Sequence, residues 1–170
     1  MQHILIVGKN GVGKSTLIQK LLDAIPAPVS GIITKKERAG ADGFCPVYIH
    51  RYGAPRRYDT ENRIGKCREG GSVAYPEAFD RFAQQMNFPL DGVIVLDELG
   101  FLESNAPLFT TKVLRILDEA PLVIAAVRDK QTPFLDAVRA HPRAACFSIT
   151  EENRDALTER LLESVQSLRF

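Results

Sequence analysis

Apolar positions along the chain alternate between two periods. The unbroken run Ile4, Leu5, Ile6, Val7 predicts a buried strand over 2–7, of the kind parallel sheets use. Leu17, Ile18, Leu21 and Leu22 then recur at helical spacing, which predicts a helix over 14–24 stopped by Pro26 and Pro28. A second strand is expected over 29–34, followed by a polar, glycine-bearing stretch, KKERAGADG. Looser alternation over 44–52, with short candidate strands at 57–58 and 63–67, reads as an antiparallel hairpin region inserted over 43–73. Pro76 opens a helix to 86 with Phe79, Phe82, Ala83 and Met86 on one face. Buried strands are expected at 92–97, 122–127 and 144–149. A helix over 105–119 has Ser104 or Asn105 as its expected cap, and Thr132 caps a short helix starting at Pro133. Thr150 is the expected cap of a last helix, whose stripe is Leu157, Leu161, Leu162, Val165 and Leu168.

Strands alternating with helices imply an α/β fold, a mostly parallel sheet with helices on both faces and a β-hairpin insertion. With 170 residues and no repeat or linker, one domain over 1–170 is expected. Apolar content of 45% and charged content of 25% fit a packed globular chain. The net charge of +1 gives no bulk attraction to nucleic acid or acidic membrane. The basic stretch from Arg51 to Arg68, with Tyr52 and Tyr58, could stack and pair with nucleic acid, but the near-neutral whole weighs against it. No apolar run approaches the roughly 18 residues of a membrane span. No basic segment precedes the first strand, and Cys45, Cys67 and Cys146 are dispersed, so a cytoplasmic protein is expected, with neither disulfide framework nor zinc site. His3 and His141 read as ordinary surface groups.

Chemistry enters between the first strand and the first helix. Gly8-Lys9-Asn10-Gly11-Val12-Gly13-Lys14-Ser15-Thr16 fits the P-loop pattern G-x-x-x-x-G-K-[ST] in its required strand–loop–helix setting. Its glycines free the backbone to wrap a polyphosphate, and the helix N-terminus supplies a field for anions. Lys14 is the candidate for the β- and γ-phosphates, Ser15 for Mg²⁺, and Thr16 for the neighbourhood of the α-phosphate. Asp97 and Glu98 end a buried strand. An acid at that place helps hold the metal in P-loop proteins, and a second carboxylate beside it can orient or deprotonate a water. Charge developing on the transferred phosphoryl needs a further cation. Candidates are Arg38, Arg56, Arg57, Arg63, Lys66, Arg68 and above all Arg128, which lies just past a parallel strand where open α/β sheets bind ligands.

Taken in order, these segments resemble the small P-loop nucleoside-triphosphatases related to the thermophile NTPase and the human cancer-related NTPase. The resemblance rests on GKNGVGKSTL, on Gly31-Ile32-Ile33-Thr34, on Glu37-Arg38 followed by Gly43-Phe44, on Ile64-Gly65-Lys66-Cys67, and on Asp97-Glu98-Leu99-Gly100-Phe101-Leu102-Glu103. Ile32, Cys67 and Phe101 depart from the family's pattern. The resemblance implies Mg²⁺-dependent hydrolysis of NTP to NDP and phosphate with broad nucleotide tolerance. It also implies the α/β core in which a glutamate adjoins the metal-associated aspartate, with Lys14, Ser15, Asp97 and Glu98 in the roles above. Two alternatives stand beside it. In a nucleotide or small-molecule kinase, the inserted strands would form an acceptor lid. In an NTP-dependent module assisting cofactor or metal delivery, a protein partner would speed turnover.

Overall fold

The computed structural model describes residues 2–168. Eight strands form one sheet: β1 (His3–Gly8), β2 (Val29–Lys36), β3 (Cys45–Arg51), β4 (Arg63–Arg68), β5 (Gly71–Ala74), β6 (Val93–Leu99), β7 (Leu122–Arg128) and β8 (Ala144–Ser148). Five helices accompany them: α1 (Lys14–Ala24), α2 (Pro76–Ala83), α3 (Pro107–Glu119), α4 (Pro133–Arg139) and α5 (Arg154–Gln166). The strand order is β5-β4-β3-β2-β6-β7-β1-β8. From β2 to β8 all neighbours run parallel, while β3, β4 and β5 continue the sheet antiparallel.

The apolar runs of the parallel strands are buried on both faces. Ile4 and Ile6 pack with α1 and α5, whereas Leu5 between them packs with α2, α3 and α4. Val93 and Val95 divide from Ile94 and Leu96 in the same way. Gly31, at φ 136, lets β2 close onto β6, since a Cβ there would stand 2.0 Å from the carbonyl oxygen of Val95.

Several expectations are corrected. Residues 57–58 form no strand, because the Arg57 backbone N–H donates to His50 Nε2 at 2.9 Å and its carbonyl accepts from Asn62 Nδ2 at 2.6 Å. β5, which carries no apolar run, was not expected; it pairs with β4 across the Glu69–Gly70 turn. α2 ends three residues early. α3 is capped neither by Ser104 nor by Asn105; its N-cap is Ala106, and Asp80 of α2 accepts the Phe109 N–H at 3.0 Å. Thr132 caps α4 as expected, accepting from Leu135 N at 3.1 Å. Thr150 belongs to the turn before α5, whose N-cap is Asn153. His3 is fully buried: Nδ1 accepts from Val123 N at 3.0 Å and Nε2 lies 2.7 Å from Leu117 O. Half-buried His141 stacks on it at 6.0 Å. Cys45 and Cys67, 22 positions apart, are cross-strand partners with free thiols.

Candidate active site

The loop between β1 and α1 turns on Gly11 at φ 75 and Gly13 at φ 110, a backbone region that side chains disfavour. Val12 is buried under α1, so it offers the site backbone only. Lys14 is buried, and its Nζ donates to Gly8 O at 2.9 Å and Lys9 O at 2.6 Å. The same ammonium stands 3.0 Å from Glu98 Oε2. One residue on, Ser15 Oγ donates to Asp97 Oδ1 at 3.0 Å.

The acid pair comes from the end of β6, where its register against β7 shifts between Leu96 and Leu99. The Glu98 N–H donates to Thr34 Oγ1 of β2 at 3.2 Å. β7 ends beside the loop, with Arg128 paired to Gly8, and Arg128 Nε donates to Glu98 Oε1 at 2.5 Å. Glu98 is therefore gripped between two cations. Burial pushes the Asp97 carboxyl up to about 6, aided by the Glu98 charge and opposed by the Ser15 hydroxyl and Lys14. A cavity of about 180 Å³ opens here, bounded by Asn10, Ser15, Asp97, Glu98 and Arg128.

Lys14, Ser15, Asp97, Glu98 and Arg128, scattered over the sequence, thus meet in one place. Gly8 and Lys9 contribute carbonyls to Lys14, while Asn10 lines the cavity. Exposed Thr16 faces another cavity, between α1 and α5. Of the seven cations considered from the sequence, only Arg128 lines this cavity. Arg63 lies over Tyr75, Lys66 pairs with Asp42 at 2.7 Å, and Arg68 lies over Phe44. Lys36 and Glu103 line the cavity as well, and sequence reasoning assigned neither a role. Glu103 is buried, accepts the Gly100 N–H at 2.6 Å, and is pushed up to about 7 by burial. Its signal was present in the acid six positions beyond Asp97, but nothing in a sequence shows that such an acid turns inward.

The paired oxygens of Ser15 and Asp97 suit a hard divalent cation. Mg²⁺ takes one or two protein oxygens and keeps its remaining places for phosphate and water. No group of three or more His, Cys, Asp or Glu that could hold a metal occurs among the described residues. No helix among them is long and apolar enough to cross a membrane.

A glycine loop leaving a central parallel strand, an Asp-Glu pair ending β6, and β7 between those two strands define a P-loop NTPase fold. The family is more particular than the fold. The profile of the family described as NTPase matches residues 3–162, and the chain belongs to that family. It is 28% identical to a cancer-related nucleoside-triphosphatase homolog of Bos taurus, over 99% of this chain and 98% of the relative. It is 32% identical to the nucleoside-triphosphatase THEP1 of Methanothermobacter thermautotrophicus, over 94% of each. The solution structure of a human cancer-related nucleoside triphosphatase superposes with a TM-score of 0.68 at 25% identity, covering 100% of both chains.

Proposed function

We propose that this protein hydrolyses nucleoside triphosphates to the diphosphate and phosphate, with Mg²⁺ as cofactor. The observation that carries the reading is the convergence on Glu98 of Lys14 at 3.0 Å and Arg128 at 2.5 Å, beside the Ser15–Asp97 pair. The loop amides and Lys14 bind the triphosphate. Ser15 and Asp97 would hold Mg²⁺, which when bound neutralises charge on the β- and γ-phosphate oxygens. Glu98 takes a proton from the attacking water as the new P–O bond forms and the bond to the β-phosphate oxygen breaks. Arg128 steadies the Glu98 carboxylate at rest and is close enough to face the charge that develops on the departing phosphoryl. Lys14 exchanges Glu98 for phosphate when substrate arrives, which leaves that carboxylate free to engage water.

Glu98→Gln tests this. The variant should bind NTP as the wild type does and release phosphate at least about a hundredfold more slowly, the lower end of the usual worth of a positioned base. Unchanged single-turnover hydrolysis would remove Glu98 from the mechanism.

A further inference from the structure

The turn between β8 and α5 is built against the phosphate loop. Ile149 N donates to Val7 O at 2.9 Å, and a Cβ on Gly8 would meet the Ile149 side chain at 2.7 Å. Thr150 and Asn153 lock the turn reciprocally. Asn153 Oδ1 accepts from Thr150 N at 2.8 Å, and Thr150 Oγ1 accepts from Asn153 N at 3.2 Å. Asn153 Nδ2 also donates to Ser148 O at 2.9 Å. Arg154 leaves this rigid turn as the first residue of α5, and its Cδ is 3.9 Å from where a Cβ on Gly13 would stand. Its guanidinium is exposed and pairs with no carboxylate among the described residues.

Between α1 and α5 lies a cavity of about 240 Å³. Buried Leu17 and Ile149 form its apolar floor, Lys20 and Arg154 stand at its rim, and Thr16 lines its side toward the loop. A triphosphate whose γ end lies against Lys14 and Glu98 leaves the loop past Thr16, so its nucleoside arrives at this cavity. That step rests on the triphosphatase reading above.

We infer that Arg154 holds the nucleoside by laying its guanidinium on the face of the base, over the Leu17–Ile149 floor. A guanidinium is planar and stacks on aromatic rings, and every base has a face to offer. Thr158 spends its hydroxyl proton on Arg154 O at 2.6 Å.

The test is equilibrium binding of β,γ-imido analogues of ATP, GTP, CTP and UTP, and of inorganic tripolyphosphate, with Mg²⁺, to the wild type, R154A and R154K. Both variants change an exposed side chain, and melting curves check that they fold. R154A should weaken all four nucleotides by a similar factor, on the order of tenfold, and leave tripolyphosphate unchanged. R154K should resemble R154A, because an ammonium has no plane to stack. Equal weakening for tripolyphosphate would reassign Arg154 to phosphate. Weakening for one base alone would mean edge readout, and wild-type affinity in R154A or R154K would leave no stacking contact; each of these overturns the inference. A wild type that binds none of the ligands would instead remove the triphosphatase reading, and this inference with it.

Discussion

Glu103→Gln isolates the cost of a buried acid beside the cavity at Asp97 and Glu98. Glu103 is 2% exposed, and one carboxyl oxygen accepts the Gly100 N–H at 2.6 Å. Burial first, then the Glu98 charge, raise its pKa from 4.5 to about 7 against the pull of Gly100 and Arg128. In the unfolded chain the group ionises near 4.5; in the folded chain it holds its proton to about 7. Between those values the native state binds the extra proton, so stability falls as pH rises through the window. At about 1.4 kcal/mol per pKa unit the full loss is about 3 kcal/mol. Glutamine keeps the acceptor for Gly100 and nearly the same volume but cannot ionise. Any strain it introduces is independent of pH, so the informative quantity is a difference of differences. Urea unfolding followed by circular dichroism at about pH 5 and about pH 8 should show the wild type losing roughly 2–3 kcal/mol more than E103Q between the two. Asp97, whose pKa is raised from 3.8 to about 6, contributes a similar slope below pH 6, but it is common to both proteins. Parallel stability profiles for wild type and variant would refute the reasoning, because they would mean that Glu103 ionises as freely folded as unfolded.

Two further outcomes follow from buried positions. Gly31→Ala places a methyl 2.0 Å from the Val95 carbonyl oxygen at φ 136, where neither backbone can yield. It should cost about 4 kcal/mol or more, or abolish soluble expression, and a variant with wild-type urea midpoint would count against the β2–β6 pairing described. His3 slopes the other way from Glu103. Burial lowers its pKa below 6.5, with Arg143 and His141 adding to the effect and Leu117 O opposing it. The unfolded chain therefore takes up the proton first, and stability is lost as pH falls below 6.5. NMR titration should find the His3 ring titrating below its ordinary value, and a ring that titrates at that value would contradict the buried pairing.

Much of the site was legible because its chemistry is local. A P-loop needs contiguous residues, so its nine positions announce themselves, and the acids Asp97 and Glu98 directly follow the apolar run that carries them. The parallel strands were legible for a related reason: burial on both faces leaves continuous apolar runs such as Val93–Leu96. Two features failed where the stabilising partner is remote, and β5 failed for want of an apolar pattern. The Phe109 N–H at the start of α3 finds its acceptor on Asp80, 29 positions earlier, so no local cap marks the helix. β5 exists through its ladder to β4 rather than through any apolar pattern of its own. His3 read as an ordinary surface group, but its two ring nitrogens meet Val123 N and Leu117 O across the core.

The sequence alone determined the phosphate loop, the helical stripes and the inward strands, because these depend on side-chain period and on residues adjacent in the chain. Tertiary structure decided which distant charges meet. It carried Arg128, already favoured by its place past a parallel strand, onto Glu98, set Glu103 inward, and made Cys45 and Cys67 neighbours. Such choices depend on strand order and register, and these are settled by the packing of the whole sheet.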